Sequence, residues 1–269
     1  MPKIRIDKLI MYYELQGQGD PLVLITGLGS NATIWFRQLP ALSEHYKVLA
    51  FDNRGTGRTA KPEYEYTISQ MAYDTRYLMD ALQMEPAHVF GFSMGGMIAQ
   101  ELALHWPEAV KSLVLGCTFA GGPHSIRAGQ EIVSYQRPAG PGVDRFEENM
   151  QASWRLLYSA EWIEKNRDLL MQRANELKDL RTPPEFFARQ VGAITKHDTF
   201  DRLSQIKVPT LIITGDQDEL MPPQNARILN ERIPNSELVV LPGAGHYFFI
   251  EFADETNAHI LRFLHSVKD

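Results

Sequence analysis

A single serine lies among glycines in the segment Gly91–Gly96, which reads GFSMGG. The apolar segment Ala87–Phe92 predicts a buried strand, and Met94–Trp106 predicts a helix that ends before a proline. Ser93 therefore lies on the turn between them, at the carboxyl end of a strand, where ligands bind in open α/β sheets. A serine held there can act as a nucleophile toward a carbonyl carbon, provided that a base takes its proton.

The base is expected to be a histidine, and the chain has eight of them. His246 differs from the others because it follows the predicted strand Ser236–Gly243 through a short loop that contains glycine. The carboxyl ends of parallel strands lie at one edge of a sheet. His246 is therefore predicted to lie beside Ser93 and to act as the general base.

A carboxylate is needed to orient the histidine and to stabilise its charged form. No acid directly follows the predicted strand Val110–Cys117, whereas Asp216 and Asp218 directly follow the predicted strand Pro209–Gly215. The acid is therefore expected after the later strand, and the spacing alone leaves both aspartates open.

Two backbone N–H groups could stabilise the oxyanion that forms during attack on a carbonyl. Met94 opens the helix after the serine, and a helix N-terminus directs free N–H groups and a positive dipole end at this point. The glycine-rich segment Thr26–Asn31, which reads TGLGSN, follows the strand-like run Pro21–Gly27 and can present the N–H of Leu28 from the opposite side. The glycines Gly91 and Gly95 are expected to relieve crowding in the turn.

The apolar runs that bound these residues predict an α/β fold with a mostly parallel, doubly wound sheet. They are rich in Val, Leu and Ile without alternation, as in strands buried on both faces, and helical patterns lie between them. We predict eight strands, of which the first two form an antiparallel pair within Ile4–Leu15. The other strand-like runs are Pro21–Gly27, Tyr46–Asp52, Ala87–Phe92, Val110–Cys117, Pro209–Gly215 and Ser236–Gly243, and the helical patterns include Thr67–Met84, Met94–Trp106, Pro223–Ile233 and Phe248–Leu264.

One region, residues 121–203, has no strand-like run and is rich in Arg, Glu, Gln and aromatic residues. It predicts three or four helices inserted between two strands as a cap, so that residues 1–120 and 204–269 form the core. Trp154, Tyr158 and Trp162 are candidate pocket residues on these helices, together with Gly27 from the loop near the serine.

Composition excludes several other classes of protein. The 269 residues carry a net charge of -6 without a basic block, which disfavours nucleic-acid binding. No apolar run approaches the roughly 20 residues that span a bilayer, the N-terminus does not read as a secretory signal, and the single cysteine forms no internal disulfide. A soluble cytoplasmic protein without a membrane partner is expected; its oligomeric state is left open.

No metal and no cofactor are expected. HExxH-type spacing is absent, so a metal site is not indicated. The segment Arg54–Ala60, RGTGRTA, resembles a dinucleotide fingerprint on paper, with Asp80 about 20 residues on. Pro62 interrupts the helix that such a fingerprint requires, so tight-turn glycines beside the pocket are the better interpretation.

Taken together, these residues resemble the α/β-hydrolase fold superfamily, in its serine hydrolase branch. The resemblance covers nearly the whole chain and follows the family's order of nucleophile, acid and histidine. Family members usually carry the acid in a Gly-x-x-Asp-x-x-x-Pro pattern, and Gly215 to Pro222 fits it, so the resemblance selects Asp218 over Asp216. The loop near the serine departs from the family, since Thr26-Gly27 stands where His-Gly is usual.

The resemblance is strongest to enol-lactonases and small-molecule carboxylesterases. It implies hydrolysis of a small carboxylic ester or lactone by Ser93, His246 and Asp218, with water as the second substrate. Carbon–carbon bond hydrolysis of a vinylogous diketone and cofactor-free perhydrolysis remain alternatives within the same motifs. A ligand-binding receptor with slow or no turnover is the alternative from another class.

Overall fold

The computed structural model describes residues 2–126 and 146–267, and these contain an eight-stranded mixed sheet. The strands are β1 (Lys3–Ile6), β2 (Leu9–Gln16), β3 (Pro21–Ile25), β4 (Lys47–Phe51), β5 (Ala87–Phe92), β6 (Val110–Gly116), β7 (Thr210–Gly215) and β8 (Ser236–Leu241). Their spatial order is β1-β2-β4-β3-β5-β6-β7-β8. β1 pairs with β2 and β2 with β4 in antiparallel fashion, and the remaining pairs are parallel. The predicted fold class is confirmed.

Helices cover both faces of the sheet. In chain order the α-helices of the described residues are α1 (Gln38–Ser43), α2 (Ile68–Ala81), α3 (Met94–His105), α4 (Phe146–Leu157), α5 (Ala160–Lys165), α6 (Arg167–Glu176), α7 (Pro184–Thr195), α8 (Gln224–Arg232), α9 (Phe248–Glu251) and α10 (Ala253–Ser266). Because both faces are covered, every residue of β5 is buried. Val89 packs into one buried cluster with α2 and α3, and its neighbour Phe90 packs into the other with α1 and α10. This explains why the strand sequences do not alternate.

The strand order has a switch point at β3. The chain passes from β3 to β4 on one side and then returns to β5 on the other side. The loops that follow β3 and β5 therefore leave the same sheet edge in opposite directions and leave a crevice between them. Ser93 follows β5 at this crevice, and the loop Thr26–Asn31 follows β3.

The C-terminal helix prediction was wrong in one respect. The apolar pattern of Phe248–Leu264 predicted one helix, but the structure has the separate helices α9 and α10, with Phe252 between them at φ −117° and ψ 49°. The break leaves Phe248 and Phe249 fully buried while the adjacent Glu251 carboxylate reaches back to the loop before His246. A hydrophobic period does not detect such a break because both pieces bury apolar residues.

The helices α4–α7, here called the inserted helices, lie between β6 and β7. They are consistent with the three or four helices expected in residues 121–203, whose exact bounds stay a prediction. The sequence RPAGPG at residues 137–142 predicts a turn, but these residues lie outside the described ones. The insertion begins and ends at one place, because Gly121 forms an antiparallel bridge with Asp198 and the N–H of Thr199 donates to Ala120 O at 2.8 Å.

A buried histidine lies at this junction. His197 is 4% exposed, and neither of its ring nitrogens has a hydrogen-bond partner within the described residues. Its Nδ1 lies 3.8 Å from Glu101 Oε1, beyond hydrogen-bond reach, and Glu101 is itself bound by Arg202 at 2.6 and 3.0 Å. Burial lowers the pKa of His197 to about 4; the charges of Glu101 and Asp198 oppose this shift, and that of Arg202 adds to it.

This histidine predicts a loss of stability in mild acid. As the pH falls from about 6.5 toward 4, the unfolded chain binds a proton that folded His197 excludes, so the free energy of unfolding falls. We expect about 2 kcal/mol of this loss between pH 6.5 and 5. Urea unfolding at pH 7 and pH 5 should show a smaller loss for His197→Gln than for wild type, whereas equal losses would contradict the prediction.

Candidate active site

The backbone at Ser93 adopts a conformation that L-residues avoid, with φ 54° and ψ −119°. Two hydrogen bonds hold it there: the N–H of Ser93 donates to Gly116 O at 2.8 Å, and Thr118 Oγ1 donates to Ser93 O at 2.7 Å. Both partners lie at the end of the neighbouring strand β6. Strain of this kind persists only where the surrounding structure enforces it, and it is concentrated at functional sites.

The glycines around Ser93 are required by close approach of the backbone. A Cβ on Gly91 would lie 2.3 Å from Gly95 O, and a Cβ on Gly95 would lie 2.1 Å from Ile25 O. Both distances are far below van der Waals contact. The steric role expected for these glycines is therefore confirmed, and it brings α3 directly against the end of β3.

A buried hydrogen-bonded pair of side chains follows β7 and β8. His246 Nδ1 lies 2.7 Å from Asp218 Oδ2, and both residues are 2% exposed. The second oxygen, Asp218 Oδ1, accepts the backbone N–H groups of Leu220 at 3.0 Å and Met221 at 2.8 Å. Because Nδ1 is directed at Asp218, the other ring nitrogen, Nε2, is the one that can accept a proton from a nucleophile.

The two aspartates that spacing could not separate have different partners. Asp216 is exposed, and its carboxylate accepts the N–H of Gly243 at 2.7 Å. That bond ties the loop after β7 to the loop after β8. Only Asp218 contacts His246, in agreement with the choice that the family pattern made.

The loop after β3 lies against the serine. A Cβ on Gly27 would approach Ser93 Cβ to 3.1 Å and the Phe92 ring to 3.2 Å. The N–H of Met94, the first residue of α3, has no acceptor within its own helix. Asn53 Nδ2 donates to both Thr26 O and Thr26 Oγ1 at 3.1 Å, so the Asn53 side chain supports this loop.

Sequence reasoning missed a contact between the inserted helices and this loop. Gln190 of α7 is fully buried and accepts the N–H of Gly29 at 2.8 Å through Oε1. Its Nε2 donates to Arg54 O at 3.1 Å, and Thr182 Oγ1 donates to Gly29 O at 2.9 Å. One signal was present in the sequence: Gln190 shares the buried helical face of Phe186 and Ala193, where a polar residue needs a partner.

The segment Arg54–Ala60 has a structural role beside the site. It forms turns, and the next helix, α2, begins only at Ile68. A Cβ on Gly57 would lie 2.3 Å from Asp52 Oδ2, and the Asp52 carboxylate accepts the N–H groups of Arg58 and Ala32, each at 2.7 Å. The glycines thus let the turn fold over Asp52, and Asp52 holds Ala32, the residue after the loop Thr26–Asn31.

The inserted helices also contact the loop that carries His246. Glu251 accepts the N–H of Gly245 at 2.9 Å through one oxygen and the hydroxyl of Ser159 at 2.6 Å through the other. The N–H of Tyr247 donates to Leu157 O at 2.7 Å. Burial raises the pKa of Glu251, and the bonds from Ser159 and Gly245 oppose this shift.

The predicted pocket residues fall into two groups. Tyr158 and Trp162 line a cavity of about 180 Å³ between the inserted helices and the core. Trp154 is buried at 5% exposure and is not among the residues that line this cavity, and Gly27 packs against Ser93 and Phe92. Among the described residues, no helix is both long and apolar enough to span a bilayer.

Comparison with known proteins decides the family. The family profile described as "alpha/beta hydrolase fold" matches residues 20–253. The chain belongs to the α/β-hydrolase fold family. A relative in Stutzerimonas stutzeri, named "Putative carbamate hydrolase RutD", is 32% identical over 257 residues, which cover 93% of this chain and 95% of the relative.

Solved structures of other α/β hydrolases are similar over nearly the full length. The enol-lactonase from Burkholderia xenovorans LB400 has a TM-score of 0.85 at 28% identity, covering 98% of this chain and 100% of that chain. A meta-cleavage product hydrolase from Pseudomonas fluorescens IP01 has a TM-score of 0.85 at 25% identity, covering 100% of this chain and 98% of that chain. These likenesses support a hydrolase.

One group of side chains in this α/β hydrolase could be considered for a metal. Ligand-type atoms of Cys117, Asp218 and His246 all lie within 4.8 Å of one another. A cysteine binds zinc as its thiolate. Burial raises the pKa of the Cys117 thiol well above its usual value, and the Asp218 carboxylate raises it further. Asp218 and His246 already bond to each other, so these residues fit a hydrogen-bonded Asp–His pair with a neutral thiol beside it.

The strain at Ser93 predicts an effect on stability. Glycine adopts φ 54° and ψ −119° without the steric cost of a side chain, and this gain exceeds its greater loss of entropy on folding. We expect Ser93→Gly to be about 1 kcal/mol more stable than Ser93→Ala, the matched variant that also lacks the hydroxyl but keeps the Cβ. Equal midpoints in urea unfolding would indicate that the turn stores no strain.

Proposed function

We propose that this α/β hydrolase cleaves a small carboxylic ester or lactone through an acyl-enzyme on Ser93. The observation that carries the proposal is the pairing of a strained serine turn with the buried Asp218–His246 contact of 2.7 Å at the same sheet edge. Neither feature contributes to stability in an obvious way. Together they have the residue types and roles of a Ser-His-Asp triad.

In the proposed reaction, Ser93 Oγ attacks the carbonyl carbon while His246 Nε2 takes the hydroxyl proton. The same nitrogen then delivers this proton to the leaving alcohol oxygen, and the acyl group stays on the serine. Water, deprotonated by His246, attacks the acyl-enzyme; the bond from the acyl carbon to Ser93 Oγ breaks, the acid is released, and Nε2 returns the proton to Ser93 Oγ. Asp218 keeps the imidazole oriented and stabilises its cationic form.

The oxyanion is proposed to bind the backbone N–H groups of Leu28 and Met94. Gly27 lies against Ser93, so the loop that carries Leu28 is close enough to serve this role, and Met94 opens α3. Gln190 would act as a positioning residue here, since it holds the N–H of Gly29, the residue after Leu28. Donors that are fixed before the reaction stabilise the transition state more than donors that must reorganise.

The named relatives support two substrate classes. The similarity to an enol-lactonase supports an ester or lactone. The relatives named for carbamate hydrolysis favour a carbamate as the second candidate. In each compound the carbonyl carbon bears a heteroatom leaving group, so one arrangement of nucleophile, base and oxyanion donors would serve both.

The inserted helices are proposed to form the cap over the site, with Tyr158 and Trp162 contributing to its apolar pocket. A cytoplasmic location and the lack of nucleic-acid and membrane partners stay predictions from the sequence. The assays below set the proposal against three competing functions: carbon–carbon bond hydrolysis, perhydrolysis and ligand binding without turnover.

The central test is hydrolysis by wild type and Ser93→Ala. We expect wild type to release p-nitrophenol from acetate and butyrate esters, and Ser93→Ala to be slower by about a thousandfold or more. Ser204→Ala, an exposed serine on the core, serves as the matched control and should retain full activity. Retained activity in Ser93→Ala would refute the proposed nucleophile.

The same enzymes should be given a lactone, an aryl carbamate and a vinylogous diketone. The highest kcat/KM identifies the reaction class, because the leaving group differs in each. A folded wild type that binds these compounds but turns none of them over would favour the receptor alternative.

A second test concerns Gln190. Replacing it with methionine leaves the N–H of Gly29 and the carbonyl of Arg54 without these partners. The loop Thr26–Asn31 should therefore shift. We expect kcat for an acetate ester to fall about tenfold with a smaller change in KM. Gln172→Met, an exposed position on α6, is the matched control. Wild-type kcat in a folded Gln190→Met enzyme would contradict a positioning role.

A further inference from the structure

The cavity of about 180 Å³ lies between the inserted helices and the segment that follows β3. The residues that line it come from both the core and the inserted helices. Ser30, Thr33 and Phe36 belong to the core segment, while Tyr158 directly follows α4 and Trp162 belongs to α5. A ligand there would therefore touch both the core and the inserted helices.

The walls are mostly apolar. The rings of Tyr158 and Trp162 are stacked at 4.7 Å between centroids and 10° between planes. Phe36, Leu170 and Ile250 also face the cavity. An occupant must therefore present an apolar chain or ring to most of this surface.

One cation interrupts this apolar lining. Arg173 of α6 lines the cavity, donates through Nη2 to Thr33 O at 2.7 Å and stacks its guanidinium 4.3 Å above the Phe36 ring. Its nearest carboxylate in the described structure is that of Glu176, which is 3.7 Å from Nη1 and about half exposed. Of the five donors of a guanidinium, the described residues thus engage one in a hydrogen bond.

Arg173 differs from other partly buried arginines in its charged partner and in the direction of its pKa shift. Arg54, Arg58 and Arg202 are each bound by a carboxylate, and each has a raised pKa. The pKa of Arg173 is lowered, mainly by burial, and the charge of Glu176 opposes this only in part. Arg173 is thus a partly buried cation whose ion pair with Glu176 is long and half exposed, and a bound anion would supply a closer counterion.

The cavity adjoins the catalytic residues. Tyr247, which lines it, directly follows His246, and the two rings are stacked at 5.9 Å between centroids. Ser30 lies in the loop Thr26–Asn31 that packs against Ser93, and its Oγ is 3.4 Å from the Tyr247 hydroxyl. A ligand in the cavity would therefore contact residues next to the reacting groups.

We propose that this cavity is a subsite for an apolar chain that ends in a carboxylate, with the carboxylate on Arg173, and that the chain is part of the substrate. The substrate class of the proposed hydrolase would then be an ester, lactone or carbamate that carries a second, free carboxylate. This assignment to the substrate rests on the proposed function; the anion-binding cavity itself does not.

The first experiment measures binding without turnover. Isothermal titration calorimetry should show that hexanoate binds wild type about tenfold more tightly than hexanamide, which has the same chain without the charge. Arg173→Gln should lose this preference, and Arg173→Lys should keep part of it because the charge remains. Arg167→Gln removes an exposed arginine from the same helix and should retain the preference. Equal binding of the two compounds by wild type, or an unchanged preference in Arg173→Gln, would overturn the proposal.

The second experiment assigns the carboxylate to the substrate. The ratio of kcat/KM for p-nitrophenyl hydrogen adipate to that for p-nitrophenyl hexanoate should fall about tenfold in Arg173→Gln and stay constant in Arg167→Gln. A constant ratio in Arg173→Gln, with the hexanoate preference confirmed, would refute the substrate assignment. If wild type cleaves no ester, the proposed function fails, while the calorimetry still decides whether the cavity binds carboxylates.

Discussion

The backbone conformation of Ser93 is the constraint on which the rest of the site depends. A residue at φ 54° and ψ −119° cannot be held by its own turn, so the neighbouring strands must enforce it. The bond from Ser93 N–H to Gly116 O joins the turn to β6, and the contact of Gly95 with Ile25 O joins it to β3. The ends of three adjacent strands are thus arranged around one side chain.

The histidine and its acid have a separate support. Asp218 and His246 come from loops after β7 and β8, and a second bond from Gly243 N–H to Asp216 connects the same two loops. The Asp218 carboxylate is removed from water but is saturated by one imidazole and two backbone donors. Both oxygens of this buried carboxylate therefore have hydrogen-bond partners, which fixes the side chain that orients the imidazole.

The inserted helices do more in this structure than cover an edge of the sheet. Gln190 bonds the loop that lies against the serine, and Glu251 connects Ser159 to the loop before His246. Both contacts use groups that are withdrawn from water, where an unpaired partner costs about 1–3 kcal/mol. A displacement of the inserted helices would therefore shift both loops. The packing of the inserted helices is thus linked to the geometry of the candidate site.

Much of this was accessible from the sequence. Apolar runs predicted the strands, and Ser93 and His246 could be placed because both follow such runs through short glycine-containing turns. The prediction of one helix over Phe248–Leu264 was wrong because both halves bury apolar residues, so the pattern carries no mark of the break at Phe252. Gln190 was missed because a glutamine in an amphipathic helix does not reveal a partner more than 100 residues away.

The sequence by itself determined the local features: which segments are strands, where the turns must be tight, and which residue types could perform acyl transfer. These depend on periodicity and on backbone sterics, which act over a few residues. Only the tertiary structure decided which aspartate meets His246, which side chains brace the loop near Ser93, and that Arg173 lies in an apolar cavity with a long, half-exposed ion pair to Glu176. Such pairings depend on the distance between atoms far apart in the chain, and that distance is set only when the sheet and its helices have packed.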